Sequence, residues 1–306
     1  MDFIGFGALN FDRLFKVRAM ASGDEEIPIT DSSEAPGGSA ANTVYALGRL
    51  GSRCGYFGAV GRDPEGEAVL GSFSDVGVDT SGIKTRMNAR TGLVIGLVDP
   101  AGERALYIAP GANSTLSKDD IDMNYLSNAR VIHLTSFVED EQLELQKQVV
   151  DHFSSQGDVK ISFAPGSLYA KKGFDAISPI IEKTHVLFLN EEEARILTGK
   201  DYKEAAAQYL SMGCSIMAVT LREKGCYIAD SKENLHLPSL DTNVVDTTGA
   251  GDAFCAGFLF GMSEGKPLKE CGLIGNYVAS LCISEIGARS GLPDRASLEK
   301  GMQKIQ

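Results

Sequence analysis

The sequence is short of basic residues and of long hydrophobic runs. Lys and Arg total 29 against 41 Asp and Glu, which gives the 306-residue chain a formal net charge of −12. This balance argues against a nucleic-acid partner or an anionic membrane surface, because both require a basic patch. No apolar run approaches the ~20 residues that span a bilayer, and the N-terminus lacks the basic segment of a signal peptide. We therefore expect a cytoplasmic protein with no nucleic-acid or membrane partner.

Cysteine and histidine are too sparse and scattered to suggest a metal centre. The six cysteines form no Cys-x-x-Cys pair, and the four histidines lie far apart. Most of the cysteines occur within apolar runs, where a small thiol behaves as a core residue. A disulfide framework is also improbable in a chain of this size without secretion signals. We therefore predict structural roles for both residue types.

Three motifs of well-known enzyme classes are missing. The sequence has no Gly-x-x-x-x-Gly-Lys-Ser/Thr loop, which excludes a Walker-type nucleotidase, and no Gly-x-Ser-x-Gly elbow of an α/β hydrolase. The segment from Gly5 to Asn10 resembles a dinucleotide-binding Gly-x-Gly-x-x-Gly, but Asn10 replaces the third glycine and no helical pattern follows. An NAD-dependent dehydrogenase is therefore a weak alternative.

Short runs rich in Val, Ile and Phe alternate with amphipathic segments along most of the chain. This pattern predicts a three-layer α/β/α Rossmann-like domain around a mainly parallel central sheet. Ligands of such sheets bind beyond the carboxyl ends of the strands. Residues 11–36 and 83–113 break the pattern, and the second of these segments contains two strands around a turn at 99–102. We predict that they form a small β-sheet lid over a core of residues 1–10, 37–82 and 114–306.

The most informative segment is residues 243–261, in which a glycine-rich turn leads into an apolar helix. Gly249 and Gly251 allow positive φ and a close approach of the backbone to a ligand. The amides from Gly249 through Ala250 to Asp252 would meet at a helix N-terminus, which favours an anion. The carboxyl group of Asp252 would then either cap the helix or accept a proton from an alcohol that attacks a phosphoryl group. The turn alone leaves both interpretations open.

Two further segments also allow two interpretations each. Asn190 and Glu193 follow a predicted strand and have the spacing of a capping box, but their oxygens also suit Mg²⁺ on a nucleotide, directly or through water. Gly37 and Gly38 precede a predicted helix in which Asn42 carries both a donor and an acceptor for a substrate hydroxyl. A flexible connection into that helix would explain the same residues.

Taken in order, these segments resemble the PfkB family of carbohydrate kinases, which have the ribokinase-like fold. The residues that carry the resemblance are GGSAANTVYALGRLG with GAVGRDPEG, PGAN at 110–113, LNEEEA, and the highly specific DTTGAGDAF at 246–254. The resemblance covers residues 2–293. It implies an enzyme that transfers the γ-phosphoryl group of ATP to a hydroxymethyl group of a sugar.

The resemblance also assigns roles to individual residues. It implies that Asp252 is the catalytic base and that Gly249, Ala250 and Gly251 form the anion hole that stabilises the transferring phosphoryl group. Asn190 and Glu193 would organise Mg²⁺ and the nucleotide phosphates. The substrate set would be Asp12, Gly37, Gly38 and Asn42; the adenine set would be Thr220, Gly225 and Asn276. Asp246 and Thr248, with backbone oxygens near Gly287 and Gly291, resemble the monovalent-cation (K⁺) site of some members.

The chain departs from the family pattern at two places. Ser39 stands where ribokinases commonly have a lysine, which puts ribose specificity in doubt, and Arg222 interrupts the usual Thr-Leu-Gly motif near the nucleotide. A nucleoside kinase of the same family is the alternative function, with Phe11, Phe15, Tyr107 and Phe137 as candidates for an aromatic wall. A nucleotide-binding regulator without catalysis is a further alternative. An incomplete lid sheet with exposed edges predicts a homodimer formed through the lid.

Overall fold

The chain folds into a large sheet covered by helices on both faces and a small separate sheet. The structure is a computed structural model that describes residues 1–100 and 104–303, with only the backbone described at position 104. In chain order the strands are β1 (Phe3–Phe6), β2 (Asn10–Val17), β3 (Ile29–Gly37), β4 (Cys54–Gly61), β5 (Ile83–Arg86), β6 (Gly92–Val98), β7 (Arg104–Ala109), β8 (Val131–Thr135), β9 (Lys160–Ala164), β10 (Val186–Asn190), β11 (Ile216–Thr220), β12 (Cys226–Asp230) and β13 (Asn234–Leu237). The helices are α1 (Ser39–Arg49), α2 (Pro64–Ser74), α3 (Met123–Leu126), α4 (Asp140–Gln156), α5 (Gly166–Lys172), α6 (Phe174–Ile181), α7 (Glu191–Thr198), α8 (Tyr202–Ser211), α9 (Ala250–Ser263), α10 (Leu268–Cys282) and α11 (Arg295–Met302).

The large sheet is mainly parallel, as the alternation of strands and helices predicts. Within the described residues its order is β13-β12-β11-β10-β9-β8-β1-β4-β5, and only the pairs β11–β12 and β12–β13 are antiparallel. Successive side chains of a strand point to opposite faces of the sheet. Ile4 and Phe6 pack into a core beneath α4, α6, α7 and α8, whereas Phe3 packs into a second core beneath α1, α9 and α10. The predicted three-layer α/β/α fold is confirmed.

The small sheet is the predicted lid, and it has the order β3-β2-β6-β7. β2 pairs antiparallel with β3 and parallel with β6, and β7 completes the sheet antiparallel to β6. One predicted boundary differs from the structure: residues 83–86 form β5, which pairs with β4 in the large sheet rather than joining the lid. The alternating pattern of these four residues suits either sheet, so their partner is decided by tertiary contacts. Positions 101 and 102 of the predicted turn lie outside the described residues.

One buried side chain joins the lid to the core. Asn113 is 2% exposed, and its Oδ1 accepts a hydrogen bond from the Leu9 amide at 2.8 Å. Its Nδ2 donates to the Leu9 and Pro110 carbonyls and to the Asn10 side chain, at 2.9–3.1 Å. The chain enters the lid at Asn10 and again at Gly92, and it leaves the lid after Gly37 and after Ala109. Asn113 therefore holds the first entry and the last exit together.

The six cysteines and His133 are buried, as their predicted structural roles require. All six cysteines are buried and free. His133 is completely buried against Ser162, and burial lowers its pKa to about 3. No group of three or more His, Cys, Asp or Glu residues that would hold a metal ion occurs in the part of the chain that the structure describes. No helix there is long and apolar enough to cross a membrane.

Candidate active site

The glycine-rich turn before α9 builds an N-terminus that carries no cap of its own. Gly249 has φ 78° and precedes the helix without a side-chain cap. A Cβ atom at this position would lie 2.5 Å from the Ala288 Cβ, so both the backbone angle and the packing require glycine. The Ala250 amide donates to the Thr247 carbonyl at 3.3 Å. The Gly251 and Asp252 amides are the next donors of this first turn, where a helix offers them no acceptor.

Gly251 has a different role from Gly249. It is helical rather than left-handed, and a Cβ atom built on it would meet nothing within 4 Å. The space beside its α-carbon is therefore open, and Gly251 lines the cavity that begins at this helix end. An open space at the N-terminus of a 14-residue helix is suited to an anionic group.

Asp252 lies in the first turn of α9 and is held by two side chains from α1. The Ser39 hydroxyl donates to Oδ1 at 2.7 Å, and the Asn42 amide donates to Oδ2 at 3.0 Å. Burial raises the pKa of the Asp252 carboxyl to about 6, although both hydrogen bonds and the Arg289 charge act in the opposite direction. The carboxyl is therefore a base that titrates close to neutral pH.

Asp12 on β2 is the second carboxyl of this region. Burial raises its pKa to about 6, and the negative charge of Asp252 adds to the shift while the Arg289 charge opposes it. Its Oδ1 atom is buried without a hydrogen-bond partner within residues 1–100 and 104–303. Gly37 leaves room for this carboxyl, because a Cβ atom there would collide with Asp12. An unpaired buried acceptor of this kind is suited to a ligand hydroxyl.

Asn190 and Glu193 form the capping box that their spacing predicts. The Asn190 side chain accepts from the Glu193 amide at 2.8 Å, and Glu193 Oε2 accepts from the Asn190 amide at 3.0 Å. Burial and the nearby negative charge of Asp252 raise the pKa of Glu193. The cap therefore also places a carboxyl within electrostatic reach of Asp252.

A cavity of about 850 Å³ begins at the N-terminus of α9 and extends to the end of β11. It contains all three residues predicted for the adenine site: Thr220, Gly225 and Asn276. Ala250, Gly251 and Phe254 line the same cavity. The Asn276 amide donates to the Pro238 carbonyl at 2.9 Å, so this residue shapes the wall by holding the backbone.

Asp246 and Thr248 lie in the turn before α9. The Asp246 carboxylate accepts from the Thr248 hydroxyl at 2.7 Å and from the Gly287 amide at 2.9 Å. These bonds bring the 246–248 turn together with the segment that begins at Gly287. The two segments predicted to bind a monovalent cation are therefore adjacent in the fold.

Two other candidate residues have identifiable positions. Arg222 is exposed at the wall of the 850 Å³ cavity, with φ 54°. Phe137 is 1% exposed and packs edge-on against Phe6, so it belongs to the core and not to an aromatic wall.

Sequence reasoning did not single out Arg289. This residue donates to Asn42 and lies among the carboxyls of the site. Its only signal in the sequence is a lone cation in the run of small residues from Gly287 to Gly291.

The comparisons with known proteins agree with this geometry. The sequence profile of the pfkB family carbohydrate kinases matches residues 5–295. The chain belongs to the PfkB family. It is an ATP-dependent sugar kinase, a phosphotransferase with an alcohol acceptor.

Individual relatives show how far the similarity extends. An uncharacterized sugar kinase of Archaeoglobus fulgidus is 41% identical over 250 residues, which cover 81% of this chain and 98% of that protein. A cytidine kinase of Thermococcus kodakarensis is 31% identical over 245 residues, covering 78% and 84% of the two chains. The structure of an Arabidopsis thaliana ribokinase complexed with ribose and ATP matches with TM-score 0.86 and 25% identity, covering 98% and 97%. The ribokinase-like fold is therefore confirmed.

Proposed function

We propose that this PfkB kinase transfers the γ-phosphoryl group of ATP to a hydroxymethyl group of a sugar, with Asp252 as the general base. The observation that carries the proposal is the position of the Asp252 carboxyl in the first turn of α9, at a helix N-terminus that has no side-chain cap and has open space beside Gly251. The acceptor oxygen forms a bond to phosphorus while the bond between the γ-phosphorus and the bridging oxygen breaks. The acceptor proton passes to Asp252, and ADP leaves.

The amides of Gly251 and Asp252 would meet the charge that develops on the transferring phosphoryl group. Loss of one such donor typically costs 10²–10³ in rate, and general-base assistance contributes about 10²–10⁴. Asp12 and Asn42, together with the backbone at Gly37 and Gly38, would bind the other hydroxyls of the sugar. The buried Oδ1 of Asp12 supports this assignment, since it has no partner in the part of the chain that the structure describes.

The residues also fit a magnesium ion bound through water. Glu193 uses Oε2 in the capping box, which leaves Oε1 for a water ligand of the ion. Bound there with ATP, Mg²⁺ would supply charge neutralisation on the phosphates. Glu193 and Asn190 would hold its water shell beside the Asp252 carboxyl.

A potassium ion would lie beside the turn of Asp246 and Thr248. The hydrogen bond from Gly287 to Asp246 supports this placement, because it fixes the two stretches whose oxygens would surround the ion. The cation would stabilise the backbone of the turn that carries Gly249.

The lid sheet would form the interface of a homodimer. Leu106 on the edge strand β7 is 58% exposed and Tyr107 is 62% exposed, whereas the other sheet is covered by helices. Pairing between two lids would bury these side chains and the open edge of β7. We place the enzyme in the cytoplasm, where ATP is available.

A nucleoside acceptor is the second candidate, and one cavity favours it. A space of about 600 Å³ lies between the lid and the Val244–Thr247 segment. Apolar side chains such as Leu14, Phe15 and Ile286 line it, and Thr247 lines both this cavity and the one beside α9. A base attached to the sugar would fit against such a wall.

A substrate panel separates the two candidates. We would measure ADP release with free pentoses, free hexoses and nucleosides, using the wild type and Asp252→Asn. We expect turnover with a free sugar, unchanged ATP affinity in the variant, and a loss of about 10²–10⁴ in its rate. Undiminished turnover of Asp252→Asn would remove the base assignment.

A second variant tests the acceptor directly. Ile286→Asp places a charge in the 600 Å³ cavity, so it should weaken a nucleoside acceptor and leave a free sugar unaffected. Turnover with nucleosides alone, abolished by Ile286→Asp, would establish the second candidate.

A further inference from the structure

Arg289 is a buried cation that is tied to the helices behind the acceptor site. Its Nε donates to Asn42 Oδ1 at 2.9 Å, and its Nη1 donates to the Ser72 hydroxyl at 3.0 Å. The guanidinium lies 4.7 Å from the centre of the Tyr45 ring and 6.0 Å from that of Phe73. Burial lowers the pKa of Arg289 to about 10, so the group stays protonated at neutral pH.

The hydrogen bond from Arg289 fixes which way the Asn42 amide faces. A guanidinium only donates, so the atom of Asn42 that faces it must be the carbonyl oxygen. The Asn42 nitrogen is then the atom that faces Asp252 Oδ2, at 3.0 Å. Without Arg289 the amide could rotate and present its oxygen to the carboxylate, which would repel it. The two hydrogen bonds therefore run in one direction: Arg289 donates to Asn42, and Asn42 donates to Asp252.

The charge of Arg289 also acts on both carboxyls of the site. It opposes the effect of burial and thereby lowers the pKa of Asp12 and of Asp252. Its Nη2 is buried without a hydrogen-bond partner among the described residues, as is Asp12 Oδ1. Six other titratable groups interact electrostatically with Asp252 or Arg289. They are Asp12 of β2, Tyr45 of α1, Tyr56 of β4, Glu193 of α7, Cys255 of α9 and Cys282 of α10.

Among these groups Arg289 is the only cation, so it balances an otherwise acidic cluster. Burial raises the pKa of the two thiols and of Tyr56, so these groups stay neutral at the pH of the reaction. Glu193 adds a further negative charge near Asp252. A base that must accept a proton at neutral pH must first be ionised there. A fixed cation near the Asp252 carboxyl favours its ionised form.

We propose that Arg289 is a positioning residue of the phosphotransfer site, which orients the Asn42 amide toward Asp252 and places a fixed positive charge behind the two carboxyls. The proposal rests on the function proposed above, because it assigns Asp252 the role of base. Arg289 acts on the base through Asn42 and through its charge, with no contact to the reacting atoms.

Three variants separate orientation from charge. Arg289→Met keeps an apolar stem against Tyr45 but removes both the charge and the donors. Arg289→Lys keeps the charge, although one ammonium group cannot reproduce the fork that holds Asn42 and Ser72. Ser72→Ala removes one of the two anchoring bonds from a residue that contacts neither carboxyl. Ser74→Ala, at an exposed position two residues along α2, is the matched control.

The readout is the pH profile of kcat/KM for the acceptor, measured with ATP affinity and thermal unfolding. We expect Arg289→Met to lower kcat/KM about 100-fold at pH 7 and to move the acidic limb upward by about one pH unit, since a neighbouring cation is typically worth 1–3 pKa units. Arg289→Lys should lower kcat/KM about 10-fold and leave the pH of the acidic limb unchanged. Ser72→Ala should give a smaller loss, and ATP affinity should stay within twofold throughout.

The outcomes are distinguishable from a failure of the proposed function. No turnover by the wild type would reject the function itself. If the wild type is active and a folded Arg289→Met enzyme keeps its acidic limb, the charge role is overturned. If Arg289→Met does not fold, wild-type kcat/KM in both Arg289→Lys and Ser72→Ala overturns the orienting role. A shift of the limb in Arg289→Lys equal to that in Arg289→Met contradicts the charge role as well.

Discussion

Asn42 of α1 and Asp252 of α9 share a 3.0 Å hydrogen bond, although 210 positions separate them in the chain. The bond joins the two segments whose glycine patterns are most informative in the sequence. Because each is the start of a helix packed on the same face of the large sheet, Asn42 and the base lie on one rigid surface. Their mutual geometry therefore depends on helix packing more than on the lid.

The two glycines at the start of α9 should respond to alanine in opposite ways. Gly249→Ala places a side chain at φ 78° and against Ala288, so we expect a loss of about 1–3 kcal/mol in unfolding free energy. Gly251→Ala meets no neighbour within 4 Å, and its folding stability should be unchanged. Its methyl group enters the space before the amides, so kcat should fall about 10²-fold. Thermal unfolding measures the stability of the two variants, and ADP release measures their kcat. A Gly251→Ala enzyme with the kcat of the wild type would contradict the phosphate site.

Glu193→Gln should raise the Mg²⁺ concentration required for half-maximal rate. Glutamine preserves the capping box, so the fold is expected to persist, but it removes the negative charge beside the ion. A titration of activity with Mg²⁺ at fixed ATP measures the effect. Glu192→Gln, on the exposed side of the same turn, is the control, because Glu192 pairs with Arg195. Identical titrations for Glu193→Gln and the control would leave only the capping role.

The activity should rise with pH through about 6. Burial raises the pKa of Asp252 and Asp12 to about 6, and the base acts only when it is ionised. kcat/KM should therefore increase about tenfold per pH unit below this value and become level above pH 7. A profile that is flat between pH 5 and 7 would contradict a base with a raised pKa.

The same carboxyls should affect stability in the opposite direction. Their folded-state pKa lies above the ordinary value of 3.8, so the native state binds more protons than the unfolded state between about pH 4 and 6. Their contribution to the free energy of unfolding therefore falls as pH rises through this window. Asp252→Asn should flatten that part of the curve, and an unaltered slope in chemical denaturation would contradict the assignment.

A charge on the outer edge of the lid should separate the proposed dimer. Leu106→Glu lies on the open strand β7 and should give monomers in sedimentation experiments at micromolar concentration. Ile196→Glu, at another exposed apolar position on α7 of the core, serves as the comparison. A wild-type protein that sediments as a monomer would contradict the interface.

The sequence predicts the parts of this molecule that depend on local rules. The turn before Asp252 and the capping box of Asn190 and Glu193 each need only a few adjacent residues, and the structure contains both. The sequence does not predict strand β5, and residues 83–86 fall within the segment predicted for the lid, because four residues of this character do not specify a partner strand. Arg289 was not found because its partners lie more than 200 positions away, and no local pattern distinguishes a buried cation from a solvated one.

The junction at Asn113 has a consequence for how such enzymes diversify. Because all four crossings between lid and core lie at one end of the small sheet, at Asn10, Gly37, Gly92 and Ala109, the opposite end carries no part of the connection. The hairpin between β2 and β3 can therefore lengthen, shorten or change composition without disturbing the joint. New acceptor preferences are thus expected to evolve through changes in this hairpin, while the junction at Asn113 and the phosphate-binding helix α9 stay unchanged.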